Sequence, residues 1–505
     1  MQKTFAARLS SGLAPLLLLA LVRLLLHTLT NHQYGFHRDE LALLDNARRL
    51  DWGYVAYPPL APWIGRLALE LFGPSLVGLR FFSALAQSAA MVLAGLMCRD
   101  LGGSPRAQIA TALAAALAPI SLIQGALFQY VSLDYLWWVL AAFFTLRLLK
   151  SEDRRWWLAT GAAIGLGMMT KYTMAYLAAG LVGGALLTRA RRDLAGPWPW
   201  AGAALALLIF LPNLLWQVGH DFISLEFLIN IHARDVEIGR TSGFLPEQFI
   251  VAANLFTLPL WAAGLYFYFF KPEGARYRLL GWMYLIPFLL FLFTQGRSYY
   301  LAPAYPMLLA AGAVVWERWS ASLSPRRERL SRGLLWAALA AGALVFAPVM
   351  LPVAPVNSPL WDLSSQIHDN FVEEIGWPEL VETVAGIHAS LPAGEQARAG
   401  ILTANYGEAG AVNLYGPRYG LPQAISGINS YWLRGYGQPP PETLILVGFS
   451  ARTAGELFAA CAPAGRVTNR YGVENEETRF NPEIFVCREP RRPWPELWQS
   501  LRSFG

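Results

Sequence analysis

The sequence predicts an α-helical membrane protein that crosses the bilayer about eleven times and carries a small C-terminal extracytoplasmic α/β domain. Three observations carry this reading. Hydrophobic residues make up 55% of the 505 and charged residues only 15%, whereas soluble chains hold about a quarter charged. Apolar runs long enough to cross a hydrocarbon core recur along residues 11–351. Lys and Arg collect in every second connection between those runs, the asymmetry that orients membrane helices. The net charge of +6 therefore sits in short clusters between spans. That distribution argues against a nucleic-acid partner and for membrane lipids. The 19 Trp and 20 Tyr suit a protein with two membrane–water interfaces.

The first apolar run, Leu13 to Leu26, follows a short basic start with Lys3 and Arg8. No small-x-small cleavage site comes after it; Asn31-His32-Gln33-Tyr34 does. It reads as a retained first span rather than a secretory signal. Arg23 and His27 fall inside it. Such groups face a bundle interior or snorkel to the interface, and the sequence leaves both open for Arg23.

Eleven spans are read near 11–30, 77–97, 106–124, 133–149, 156–170, 172–188, 198–217, 248–270, 279–294, 302–316 and 332–351. The fifth and sixth are short enough to be one hairpin that does not fully cross. Basic connections hold Arg99 and Arg106, then Lys150, Arg154 and Arg155, then Arg189, Arg191 and Arg192. Lys271, Arg276 and Arg278, and a cluster from Arg318 to Arg332, complete the series. The N-terminus is therefore expected in the cytoplasm and the polar tail outside. This divides the chain into a membrane domain, 1–351, with a large first outer loop at 31–76, and an outer domain, 352–505. A third outer loop, 218–247, is rich in charge, including Arg234, Asp235 and Arg240. Glycines at 161–167 lie inside a span, where close helix packing explains them better than phosphate binding.

In the tail, Trp377–Leu391 has helical periodicity and opens on Pro378. Strands are expected at 399–403, 443–447, 466–469 and 484–488, with helices at 407–414 and 453–460. This alternation suggests a partly parallel sheet. Cys461 and Cys487 both fall in this domain near strand ends; an oxidising compartment permits a disulfide between them. No cluster has the spacing of a metal site, and no cofactor motif appears in its required context.

Chemistry is expected in the first outer loop, Tyr34-Gly35-Phe36-His37-Arg38-Asp39-Glu40, which runs into an amphipathic helix. Asp and Glu at a helix start serve as caps. A carboxylate there also stays ionised beside the positive end of the helix and can remove a proton from a hydroxyl. His37 or Arg38 can assist or bind an anion. Tyr57-Pro58-Pro59 is a stiff turn that can hold the loop to the bundle. Arg297-Ser298-Tyr299-Tyr300 places a guanidinium beside two phenols at headgroup depth, and Lys171 falls at another outer helix end. Both basic residues suit phosphate or interfacial anchoring.

Taken in order, Asp39-Glu40, Tyr57-Pro58-Pro59, Leu133-Asp134, Thr170-Lys171-Tyr172 and Ser298-Tyr299-Tyr300-Leu301 resemble glycosyltransferase family 39. This group of GT-C fold includes protein O-mannosyltransferases and aminoarabinose transferases. The resemblance covers roughly residues 30–310. It implies an inverting transfer from a polyprenyl-monophosphate sugar, undecaprenyl-linked in a bacterial inner membrane, to a hydroxyl on a glycan, lipid or protein. Asp39 matches the general base, with Glu40 beside it. Asp134 matches a second acidic site residue. Lys171, Arg297, Tyr299 and Tyr300 become candidates for the phosphate and sugar. The aminoarabinose transferase has a lysine where this chain has Tyr57, so phosphate recognition is expected to differ. A divalent ion is not expected, though Asp39, Glu40 and Asp134 offer a place for one. A transporter or flippase is the alternative reading, and it would call for internal repeats and broken midplane helices.

Overall fold

The computed structural model describes the backbone of residues 2–505 and side chains from residue 12 onward; the basic side chains of Lys3 and Arg8 lie outside the described residues. Helix α1 (Gln2–Thr30) leads into a loop with two short helices, α2 (Arg38–Ala47) and α3 (Leu60–Phe72). Next come α4 (Leu76–Asp100), α5 (Pro105–Ala116), α6 (Pro119–Ala126), α7 (Tyr130–Ser151), α8 (Trp156–Met168), α9 (Met174–Leu187) and α10 (Pro197–Gly219). The charged loop holds α11 (Ile223–Glu237) and α12 (Phe244–Glu247). The bundle closes with α13 (Leu258–Phe270), α14 (Arg278–Phe293), α15 (Tyr305–Ala321) and α16 (Pro325–Met350).

Seven helical stretches among the described residues are long and apolar enough to cross a membrane. Two further apolar helix pairs are bent, as broken spans or re-entrant loops are: α5 meets α6 at 66°, and the segment beginning with α12 meets the one ending with α13 at 87°. The third and eighth expected spans are therefore broken rather than straight. Pro119 opens α6, and the Asn254 side chain accepts from the Phe256 N–H at the second break. α8 and α9 have 13 and 14 residues, or about 20 Å each. They do not pair with each other as a hairpin. α8 packs on α7 and α10, and α9 packs on α14. A Cβ on Gly161 of α8 would fall 2.1 Å from the carbonyl oxygen of Gly202 in α10, so this approach requires glycine.

Arg23 faces the bundle interior rather than the headgroups. Its guanidinium donates to the Ser121 carbonyl at 2.7 Å, the Ser121 hydroxyl at 2.9 Å and the Gln87 carbonyl at 3.2 Å. One side chain thus ties α1 to α4 and α6, and its charge is met by fixed dipoles in place of water.

After α16 come α17 (Pro359–Ile367), α18 (Trp377–Ser390), α19 (Ala393–Gln396), β1 (Ala399–Thr403), α20 (Tyr406–Tyr415), β2 (Ala424–Ser426) and β3 (Thr443–Val447). β4 (Phe458–Arg466) and β5 (Glu483–Pro490) complete a five-stranded sheet of order β2-β1-β3-β5-β4. β1 is parallel to β2 and β3, while β5 is antiparallel to β3 and β4. Two expectations shift here. The helix read at 453–460 stops at Leu457, and the strand read at 466–469 instead begins at Phe458. Pairing along β5 turns an alanine-rich stretch into strand. Cys461 lies opposite Cys487 in that pairing, and their sulfurs are bonded.

This domain sits on the loop between α1 and α4. Leu41, Leu43 and Leu44 of α2 and Phe128 share one apolar cluster with Trp377, Val381, Ile401, Val412 and Ile445. The amphipathic helix α2 therefore has its apolar face covered by protein.

Candidate active site

A cavity of about 830 Å³ lies between the loop, the bundle and the C-terminal domain. The first turn of α2 forms one part of its wall. His37 caps that helix: its Nδ1 accepts from the Asp39 N–H at 3.1 Å, and Glu40 returns a bond from the His37 N–H at 2.9 Å. This reciprocal capping fixes the backbone of the loop. Burial pushes the His37 imidazole below its ordinary pKa, which suits a nitrogen that accepts a hydrogen bond.

The neighbouring carboxylates have separate fates. Asp39 lines the cavity and its side chain remains 33% exposed. One oxygen accepts from Gln129 Nε2 at 2.6 Å and the other from the Tyr406 hydroxyl at 2.9 Å. Glu40 points the opposite way and is fully buried. Its oxygens accept from Arg80 Nε and Nη2, both at 2.8 Å, and from the Phe128 N–H at 2.8 Å. Glu40 was expected as a second catalytic carboxylate; it is saturated by structural partners and does not reach the cavity.

The other expected site residues divide between the cavity wall and the structure behind it. Arg38 lines the cavity, but its guanidinium is paired with Glu373 at 3.3 Å and with Glu476. It is spent on joining the loop to the C-terminal domain. Arg297 lines the cavity with a bidentate pair to Asp235, at 2.6 and 2.7 Å. Lys171 sits behind the wall, its ammonium 3.9 Å from the centre of the Tyr300 ring and 5.1 Å from that of Tyr299. Tyr299 faces the cavity; Tyr300, Lys171 and Asp134 are not among its lining residues. Asp134 is buried, with Thr173 Oγ1 at 3.4 Å. Tyr57 lines the cavity beside Tyr130, ring centres 5.3 Å apart, and its hydroxyl accepts from Asn46 at 2.6 Å.

The structure adds residues that the motifs did not single out. Gln129 and Tyr406 grip the Asp39 carboxylate. Arg234 and Arg240, from the charged loop, also line the cavity. Asp235 is shared by Arg297 and by Arg234, the latter at 3.5 Å. Two guanidiniums thus face one carboxylate, and Arg240 has no ion-pair partner among the described residues. The cavity wall carries four guanidiniums, of Arg38, Arg234, Arg240 and Arg297, and four carboxylates, of Asp39, Glu247, Asp369 and Glu373, with Asp39 partly exposed at a helix N-terminus. That arrangement can accept a proton at one place and hold an anion at another.

The chain is similar to known proteins in part of its sequence and in its fold. Residues 56–216 match the family model described as dolichyl-phosphate-mannose-protein mannosyltransferase. An undecaprenyl phosphate-alpha-4-amino-4-deoxy-L-arabinose arabinosyl transferase of Pseudomonas fluorescens is 33% identical over 25% of this chain and 23% of its own. A lipid A galacturonosyltransferase of Rhizobium johnstonii is 28% identical over 45% of this chain and 49% of its own. The chain thus spans less than two thirds of the length of these relatives. The crystal structure of ArnT from Cupriavidus metallidurans bound to undecaprenyl phosphate superposes with a TM-score of 0.58 at 17% identity. That match covers 94% of this chain and 97% of that one.

Proposed function

We propose that this chain, a GT-C-fold protein of the family 39 glycosyltransferase group, transfers a sugar from a polyprenyl-monophosphate carrier to a hydroxyl acceptor with inversion. The observation that carries the reading is Asp39: a carboxylate held by two donors, part-exposed in a cavity whose wall also bears Arg234, Arg240 and Arg297. The named relatives are transferases acting with undecaprenyl-phosphate sugars or on lipid A, and none is a carrier, which favours transfer over transport.

The steps follow from the residues. The acceptor hydroxyl gives its proton to Asp39 as its oxygen attacks the anomeric carbon. The bond from that carbon to the phosphate oxygen breaks, and the polyprenyl phosphate leaves with the electron pair. Arg234, Arg240 and Arg297 stabilise the phosphate dianion as it forms. Asp235 keeps Arg234 and Arg297 aimed at the cavity without cancelling both. Tyr299, Tyr57 and Tyr130 offer aromatic faces and hydroxyls for the sugar. The basic connections support a cytoplasmic N-terminus, and with it a cavity that opens on the outer face of a bacterial inner membrane beside a periplasmic C-terminal domain. The test is a transfer assay in proteoliposomes, using labelled undecaprenyl-phosphate sugars and total envelope lipid as acceptor. Labelled glycolipid with the opposite anomeric configuration supports the reading. Passage of label into the lumen with no transfer would replace it with a carrier.

A further inference from the structure

We infer that the C-terminal domain supplies a positioning residue to the reacting centre: Tyr406 orients the Asp39 carboxylate, so the base is complete only when this domain is docked. The inference rests on the proposed role of Asp39 as base.

The contact is built, not incidental. Tyr406 is the first residue of α20, one position after the Asn405 cap. The Asn405 side chain accepts from the Glu408 N–H at 2.9 Å, and Glu408 accepts from the Asn405 N–H at 3.1 Å. This reciprocal cap sets the direction in which Tyr406 leaves the helix. The ring lies under the Arg38 guanidinium, 4.9 Å from its centre. The hydroxyl then donates to Asp39 at 2.9 Å, across 367 residues of sequence.

Two features hold α20 against α2. A Cβ on Gly410 would fall 2.7 Å from the carbonyl carbon of Leu41, and one on Gly407 would fall 2.9 Å from Arg38 Cβ. The helices therefore meet backbone to backbone, at a distance only glycine allows. Arg38 adds ion pairs to Glu373 and Glu476 on the far side of the same seam. A ring needed only for packing would gain nothing from the hydroxyl's aim. Instead, the hydroxyl occupies a lone pair of the oxygen that Gln129 does not touch. With one donor on each oxygen, the carboxylate is held against rotation, and it remains part-exposed on the cavity wall.

The experiment compares wild type, Tyr406→Phe and Gly410→Val in lipid nanodiscs. Tyr419→Phe, an exposed hydroxyl bonded to Glu382 in the same domain, is the control. Transfer from labelled undecaprenyl-phosphate sugars gives kcat, and binding of undecaprenyl phosphate alone gives carrier affinity. Tyr406→Phe is expected to lower kcat roughly ten- to hundredfold, the weight of one charge-assisted hydrogen bond, with carrier affinity unchanged. Gly410→Val is expected to do the same by lifting α20 off α2, and Tyr419→Phe to match wild type. Wild-type kcat in Tyr406→Phe would overturn the inference while leaving the transfer reading intact. So would a loss of kcat matched by an equal loss of carrier affinity, which marks a purely structural role. Absence of transfer in wild type with every donor would overturn both.

Discussion

Replacing Arg80 by methionine should loosen the loop that carries Asp39 without touching Asp39 itself. Arg80 has no exposed surface. Its guanidinium gives two bonds of 2.8 Å to Glu40, one of 3.2 Å to the Asn31 carbonyl and one of 3.0 Å to the Gly35 carbonyl. It also lies 3.2 Å from Glu374. Methionine fills a similar volume but leaves the buried Glu40 and Glu374 carboxyls facing each other with no cation. Breaking a buried pair by removing one partner costs about 3–5 kcal/mol. The companion change, Glu40→Gln, keeps the shape but offers one acceptor oxygen where two backbone donors, from Phe128 and His37, now bind. One donor is orphaned, at about 1–3 kcal/mol. Thermal unfolding followed by tryptophan fluorescence in nanodiscs measures both, alongside transfer per folded molecule below the transition. Both variants should melt earlier, and Glu40→Gln should keep most of its transfer while folded. Wild-type stability in Arg80→Met would refute the anchoring role. So would a fully stable but inactive Glu40→Gln, which would return Glu40 to the chemistry.

Other consequences are open to direct measurement. Replacing Cys461 and Cys487 by serine should destabilise the C-terminal domain by about 3.5 kcal/mol from loop-closure entropy over their 26-residue separation, read by limited proteolysis of that domain. The double change Arg234→Ala and Arg240→Ala should weaken undecaprenyl phosphate binding at least tenfold, with a reduced salt dependence, checked by titration at two ionic strengths. Burial raises the Glu408 carboxyl to about 8, with Glu477 adding to the effect. Its proton is held in the folded state and lost on unfolding above the ordinary carboxylate range. Stability from this group is therefore present at low pH and declines as pH rises through about 8. The melting temperature should fall between pH 6 and pH 9, and Glu408→Gln should flatten part of that fall.

The membrane part was legible because a bilayer demands long apolar runs, and each expected run corresponds to an apolar helical stretch. The breaks near Leu117 and Asn254 were less so, since a bent pair has the same composition as a straight helix. In the sheet, Phe458-Ala459-Ala460-Cys461-Ala462 reads locally as helix and becomes strand only through β5. At the site, Asp39 was visible because it shares its element with its cap. What Asp39 touches was not visible. Gln129 stands just before the Leu133-Asp134 motif as one polar residue in an apolar run, with nothing local to mark it. Tyr406 lies far along the chain from its partner. Arg38, Lys171 and Arg297 looked free in the sequence. Each finds its carboxylate or aromatic partners only through tertiary contact, as with Arg297 and Asp235.

The most direct test of the central claim is Asp39→Asn, purified in lipid and assayed for transfer from labelled undecaprenyl-phosphate sugars. Asparagine keeps an oxygen for the hydroxyl of Tyr406 or the amide of Gln129 but cannot take up the acceptor's proton. The variant is expected to fold and to bind undecaprenyl phosphate as wild type does, with transfer reduced by at least about a hundredfold. Transfer at the wild-type rate in this variant would contradict that claim.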